Sequence, residues 1–243
     1  MPEIKRINAW SSPRNISTAF MYAFAQRPDA SVVDEPLYAH YLTQTDSIVL
    51  HPGKEDILAS QENDGNQVIK NVLFADYPTP LVLFKQMTHH LIAIDWDFLL
   101  DMENILLIRH PRAIIASYSK VIPNPSIKDI GIAQQYELYN WLVDNHKPPV
   151  VIDAQCLLLN PPRVLQQLCQ ALDISFEEAM LSWSPGSRPE DGVWAKYWYA
   201  SVHQSTGFQP YIPQEYALSP ELEKLAEACL PYYQQLYQAS IKG

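Results

Sequence analysis

Residues 4–24 read Ile-Lys-Arg-Ile-Asn-Ala-Trp-Ser-Ser-Pro-Arg-Asn-Ile-Ser-Thr-Ala-Phe-Met-Tyr-Ala-Phe. Ile4 to Trp10 reads as a first strand, and Ser11 to Asn15 as a polar turn. From Ile16 the apolar spacing becomes helical: Ile16, Phe20 and Phe24 recur at i, i+4 and i+8, with Ala19 and Ala23 beside them. The opening unit is therefore strand, turn, helix. The first N–H groups of such a helix have no partner inside it and face the turn. Its dipole adds partial positive charge at the same place, and together they make an anion site. Ser17 and Thr18 can add hydroxyl donors, and Arg14 a full charge with forked donors. The competing reading is a simple helix cap with Arg14 as a surface charge.

The same alternation continues along the chain. Ser31 to Asp34 reads as a second strand stopped by Pro36, followed by a helix around Leu37 to Leu42. His51 to Asp64 is polar and turn-rich, with a short helix near Glu55 to Ser60. Leu81 to Phe84 reads as a third strand. Asn104 to Ile108, a continuous apolar run, reads as a fourth strand buried on both faces. Pro111 stands where a helix can start, because its missing N–H costs nothing at the first helical position. Ala113 to Lys120 continues that helix, and Ile132 to Asn145 forms another. Pro149 to Asp153 reads as a fifth strand, with helices over Pro162 to Leu172 and Pro220 to Tyr237. Trp183 to Pro213, rich in Trp, Tyr, Pro and Gly, shows no clean period and reads as an ordered loop region covering the sheet. Strands alternating with helices imply a mostly parallel sheet covered on both faces. With no repeat or flexible linker, one domain over residues 1–243 is the simplest organisation.

A second polar cluster ends the fourth strand: Arg109-His110-Pro111-Arg112, with Ser117 on the helix that follows. Arg109 stands at the carboxyl end of a parallel strand, where open α/β sheets bind ligands. Ser117 follows about two helical turns later. A chance Arg and Ser at a helix start is the plainer alternative.

Composition narrows the function. Acidic residues outnumber basic ones, 27 to 17, for a formal charge of −10. Such a surface repels a nucleic-acid backbone, so no nucleic-acid partner is expected, whereas a local basic pocket can still hold a small anion. The three cysteines, Cys156, Cys169 and Cys229, form no CxxC pair, which fits a reducing compartment. No apolar run is long enough to span a bilayer, and the N-terminus carries no secretory h-region. A cytoplasmic protein without a membrane partner is expected; oligomeric state stays open. The nucleotide-triphosphate consensus GxxxxGK[ST] is absent, since Asn15 and Ile16 precede Ser17-Thr18. That disfavours a kinase or triphosphatase, which needs the lysine and Mg²⁺.

Pro13-Arg14-x-x-Ser17-Thr18 resembles the 5′-phosphosulfate loop of sulfotransferases, commonly Pro-(Arg/Lys)-Ser-Gly-(Ser/Thr)-Thr. Arg109 to Ser117 resembles the family's 3′-phosphate segment, Arg-(Asp/Asn/His)-Pro-(Arg/Lys) with a serine eight residues after the first arginine. The resemblance implies a three-layer α/β fold of the P-loop sulfotransferase type, with a central, mostly parallel five-stranded sheet flanked by helices. It implies sulfuryl transfer from 3′-phosphoadenosine 5′-phosphosulfate to a hydroxyl or amine of a small-molecule acceptor, with no metal. It places Arg14, Asn15, Ile16, Ser17 and Thr18 on the phosphosulfate and Arg109 and Ser117 on the 3′-phosphate. The chain departs from the pattern at Asn15 and Ile16, where the family has Ser-Gly; glycine admits close backbone approach to a phosphate.

Sulfuryl transfer resembles phosphoryl transfer, so a base and a cation are sought at strand ends. Glu35, in Asp34-Glu35-Pro36, stands where several sulfotransferase branches carry their base, and Asp34 reads as a turn or cap residue. His89 and His90, after the third strand, resemble the histidine base of other branches and are the alternatives to Glu35. Lys85 could neutralise the leaving phosphate or be a surface lysine. The aromatic segment Asp191 to Phe208 could wall an acceptor pocket or stack on adenine, although core packing is the favoured reading for Trp194 and Trp198. Two other functions remain open: a non-catalytic nucleotide- or phosphate-binding protein and a small-molecule phosphotransferase.

Overall fold

A computed structural model of the chain describes residues 4–45, 51–120, 122 and 124–243. In chain order, β1 spans Lys5–Ser11, α1 Ser17–Phe24, β2 Ala30–Asp34, α2 Tyr38–Gln44 and α3 Lys54–Ser60. Then follow α4 at Gly65–Val68 with a π-turn at Ile69–Leu73, β3 at Leu81–Met87, β4 at Glu103–Ile108 and α5 at Pro111–Tyr118. The second half holds α6 (Ile127–Ile130), α7 (Ile132–Asp144), β5 (Val150–Asp153), α8 (Ala154–Leu159) and α9 (Pro161–Ala171). It closes with α10 (Ala195–Trp198), α11 (Ala200–His203), α12 (Pro220–Ala239) and β6 (Ser240–Ile241).

The strands form one sheet in the order β2-β3-β1-β4-β5-β6. The β2–β3, β4–β5 and β5–β6 pairs are parallel. This is the α/β architecture that the alternating elements imply, with helices flanking a mostly parallel sheet. The expected five strands become six because Ser240–Ile241 pairs with Val151–Ile152 at the edge. Two residues after a long helix carry no alternation for a sequence reading to detect.

Contacts divide the chain into two compact units. The first comprises Met1–Ala9, Ser17–Glu103 and Glu177–Phe208. Within it α1 lies against β2 and β3, burying Phe20, Met21, Ala23 and Phe24. One cluster joins Leu73, Val82, Phe84 and Met102. Another joins Tyr38, Leu42 and Ile57 with Trp194, Ala195 and Tyr199 from the late aromatic segment. That segment was expected to be loop; it contains the helical turns α10 and α11, and Trp194 packs in the core as expected. The β2–β3 register sets Asp34 directly beside Lys85.

The second unit comprises Trp10–Ile16, Asn104–Phe176 and Gln209–Gly243. Ile105 to Ile108 are fully buried, as a strand covered on both faces requires. Pro111 occupies the first turn of α5 and the His110 side chain caps it, accepting from the Arg112 N–H. Asp153 caps α8 from the end of β5, and Asn160 caps α9. The amphipathic stripe of α9 buries Val164, Leu165, Leu168 and Cys169. Helix α12 packs on α5, α7 and β5.

Candidate functional site

In the second unit, the two polar segments singled out in the sequence meet. Arg14 Nε donates to Ser117 Oγ at 3.0 Å. Arg109 Nη1 donates to the Arg14 carbonyl at 2.6 Å. The Arg14 backbone is left-handed, at φ +57°. That conformation is unusual for a side chain without glycine's freedom, and it concentrates at functional sites. Ile16 has no such strain, so the β-branched residue in the family's glycine place sits in ordinary backbone.

Asn15 fixes the loop. Its Nδ2 donates to the Leu107 carbonyl at 2.8 Å, and its Oδ1 accepts from the Ile16 N–H at 2.8 Å. Both ends of that side chain are thus spent on protein, which differs from the expected role on a phosphate. Gln135 braces the same place, bridging the Trp10 and Leu107 carbonyls at the carboxyl ends of β1 and β4. Ser12 Oγ, beside this loop, is buried without a hydrogen-bond partner. Buried hydroxyls are normally satisfied, so this one fits an oxygen-rich ligand. Ser17 and Thr18 open α1, Ser17 buried and Thr18 half-buried.

A cleft of about 670 Å³ borders Arg109, with Gln155, Tyr211 and Glu215 among its lining residues. That is within the range of small-ligand sites. Of the two arginines in this segment, Arg112 is committed to structure. It forms a forked ion pair with Glu223 and donates to the Tyr216 carbonyl.

The first unit holds a buried charged quartet. Lys85 Nζ donates to Asp34 Oδ1 at 2.9 Å, to Glu35 Oε1 at 2.5 Å and to Tyr199 Oη at 2.6 Å. An ammonium has three protons, and all are used. Lys85 is therefore neither the surface lysine nor the free cation that the sequence suggested. The expected strand ended at Phe84, whereas β3 runs on to Met87 and carries Lys85 inside. Asp34 is not a helix cap. Its Oδ2 accepts from Tyr199 Oη at 2.7 Å and from the Gly192 N–H at 3.1 Å. Tyr199 Oη also accepts from Trp194 Nε1 at 3.1 Å.

Glu35 is the member at the edge: its side chain is 10% exposed, against 2% for Lys85 and 1% for Asp34. Its backbone is left-handed at φ +40°. The turn is held by its own N–H on the Lys85 carbonyl, by the Tyr38 N–H on its carbonyl, and by Gln61 Nε2 on the same carbonyl. Burial pushes its carboxyl above the usual range and the Asp34 charge adds to this, while Lys85 pulls it down. The net direction is upward.

His90 is fully buried and stacked between Tyr38 and Tyr41, with ring centroids 5.0 and 4.9 Å away. Burial, and then the positive charge of neighbouring groups, lowers its pKa well below the ordinary histidine value. It is a neutral ring whose Nδ1 has no partner. His89 is half-buried, edge-on to His90 at 4.6 Å.

Sequence reasoning missed Tyr199 as a polar partner. One signal was available: three potential hydrogen bonds from a tyrosine in an otherwise aperiodic segment. Nothing in the sequence, however, ties position 199 to position 85. Tyr199→Phe is expected to leave a Lys85 proton, an Asp34 lone pair and the Trp194 N–H unsatisfied, destabilising the fold by roughly 3 kcal/mol. Denaturant unfolding measures this. A loss below about 1 kcal/mol would mean that water takes over the hydroxyl's bonds.

Residues 5–240 match the family model described as a sulfotransferase domain. The chain belongs to the sulfotransferase domain family. A relative, branched-chain-amino-acid aminotransferase-like protein 2 of Arabidopsis thaliana, is 38% identical over 230 residues, which is 93% of this chain and 40% of that protein. The chain thus spans about two fifths of that relative's length. Among solved structures, the sulfotransferase of Alicyclobacillus acidocaldarius superposes with a TM-score of 0.57 at 13% identity, over 96% of this chain and 94% of its own. The mouse sulfotransferase SULT7A1, solved in complex with PAP, gives 0.52 at 9% identity over 98% and 90%. These likenesses show a shared fold. Among the described residues of the sulfotransferase domain, no cluster of His, Cys, Asp or Glu is arranged to hold a metal ion. Among the same residues, no helix is long and apolar enough to cross a membrane.

Proposed function

We propose that this sulfotransferase domain moves a sulfuryl group from 3′-phosphoadenosine 5′-phosphosulfate to a hydroxyl or amine of a small molecule. The observation that carries the reading is the convergence of Arg14, Arg109 and Ser117. Two segments about a hundred residues apart, each resembling one of the family's phosphate motifs, meet here. The unpartnered Ser12 hydroxyl and the cleft beside Arg109 support it, as does the description of the mouse neighbour in complex with PAP. In this reading Arg109 and Ser117 hold the 3′-phosphate, and Arg14, Ser17 and Thr18 the phosphosulfate end. Asn15 shapes the loop. The single-domain organisation belongs to the same proposal, because the family match runs through both units.

The bound co-substrate supplies an activated sulfuryl group. As the acceptor's oxygen or nitrogen bonds to the sulfur, the bond from sulfur to the 5′-phosphate oxygen breaks and 3′,5′-adenosine bisphosphate leaves, while Glu35 takes the acceptor's proton. Burial raises the Glu35 carboxyl above its ordinary value, and a base whose pKa lies nearer the working pH is more effective. The neutral, packed His90 is a weaker base for the opposite reason: its pKa is pushed down. The aminotransferase-like name belongs to a protein more than twice as long as this chain.

Calorimetric titration with 3′,5′-adenosine bisphosphate, beside ATP with Mg²⁺, tests the reading. Micromolar binding of the bisphosphate with much weaker ATP binding is expected. A preference for ATP would favour a phosphotransferase. Binding of neither nucleotide would withdraw the reading.

A further inference from the structure

The buried quartet contains more than a base needs. A lone carboxylate at a turn could take a proton without a lysine, a second carboxylate and a tyrosine arranged around it. Each partner comes from a different element. Asp34 ends β2, Lys85 lies on β3 in direct register with it, and Tyr199 follows α10 more than a hundred residues later. At three of the four members every polar side-chain atom has a partner. Lys85 spends its three protons, Asp34 accepts three bonds, and Tyr199 Oη donates one bond and accepts two. Glu35 is the exception. Only Oε1 is tied, to Lys85, and Glu35 alone keeps appreciable side-chain exposure.

We propose that Asp34 and Lys85 are positioning residues: the Lys85 ammonium, clamped by Asp34 and Tyr199, fixes the orientation and ionisation of the Glu35 carboxyl. The proposal rests on the reading of Glu35 as the base, yet the clamp can be measured without turnover. A buried ammonium held on one side by a carboxylate and on another by a phenol cannot swing away. Its remaining proton therefore pins one carboxylate oxygen of Glu35 and leaves the other without a bond to the quartet. The charges act in opposite directions. Lys85 favours the ionised carboxylate and Asp34 opposes it, and the Lys85 contribution is the larger. Tyr199 faces the quartet from the late segment and His90 from the turn after β3; both are neutral at physiological pH, Tyr199 because its own pKa is raised and His90 because its pKa is lowered.

The test is a ¹³C NMR titration of the whole chain labelled at the glutamate carboxyl carbon, with the Glu35 signal assigned by its absence in Glu35→Gln. Lys85→Met is expected to move the Glu35 midpoint upward by at least about one pH unit. Loosening of the pocket cannot mimic this, because exposure lowers the midpoint toward the ordinary glutamate value. Lys85→Met leaves two carboxylates without a cation and can impair folding. The charge-balanced pair Asp34→Asn/Lys85→Met removes both ions together, a change buried sites tolerate better. Its midpoint is also expected above that of the wild type, because the larger, lowering influence is lost. An unchanged or lowered midpoint in the folded variants overturns the clamp. Loss of the bisphosphate binding tested above, or full turnover by Glu35→Gln, would instead strike the functional reading and leave the titration result standing.

Discussion

Glu35→Gln is expected to lower kcat by about 10²–10⁴-fold, the usual contribution of a positioned general base, with the affinity for 3′,5′-adenosine bisphosphate unchanged. The substitution keeps the shape of the side chain, and the amide oxygen can still accept from Lys85. What disappears is the capacity to take a proton. Stability gives an independent check. The folded-state pKa of Glu35 is raised from about 4.5, so its protonated form is favoured in the folded chain. Its contribution to stability is fully present below the ordinary glutamate value and is lost as pH rises through the raised one. Glu35→Gln should remove that part of the pH dependence, so that melting temperatures of variant and wild type diverge in the variant's favour as pH increases. Intact turnover in a folded Glu35→Gln protein would sink the base assignment and leave His89 and His90 as the candidates.

Arg109→Ala is expected to weaken 3′,5′-adenosine bisphosphate binding by about 10²–10⁴-fold, corresponding to two charge-assisted bonds of about 1.5–3 kcal/mol each. The more informative readout is selectivity. Wild type should prefer the 3′,5′-bisphosphate to adenosine 5′-phosphate, and Arg109→Ala should bind the two nearly alike. Arg109→Lys should recover charge but not the planar fork, and so only part of the preference. A variant that loses affinity for both nucleotides equally would mean that Arg109 shapes the loop through the Arg14 carbonyl rather than meeting a phosphate. Arg112→Ala should spare the selectivity, because that guanidinium is already held by Glu223 and Tyr216.

The arginine-bearing end of the candidate site was legible because it is local. A strand, a polar turn and a helix within twenty-odd residues set free N–H groups at the turn, and the structure keeps that order. Arg109 and Ser117 are likewise fixed by one strand end and the helix after it. The short apolar run Ile105 to Ile108 and Pro111 at a helix start needed nothing from outside themselves. The carboxylate end was only half legible. Glu35 stood out beside Pro36, but Lys85 was misjudged because polar residues at the end of a buried strand look like a loop. Strand β3 carries Lys85 into a buried position, where only its cross-strand and long-range partners make a charged side chain tolerable. The β6 pairing escaped for a related reason, since two residues have no period of their own.

The sequence by itself determined the alternation of strands and helices, the polar turn at Ser11 to Thr18 and the strand end and helix start at Arg109 to Ser117. Each follows from neighbours a few residues apart. Only the tertiary structure decided that Asp34, Glu35, Lys85 and Tyr199 are one network. That depends on the register of β2 against β3 and on where the late aromatic segment comes to rest. Burial then changes the chemistry: removed from water, the lysine must be paired and the glutamate holds its proton more tightly. No spacing along the chain carries that information.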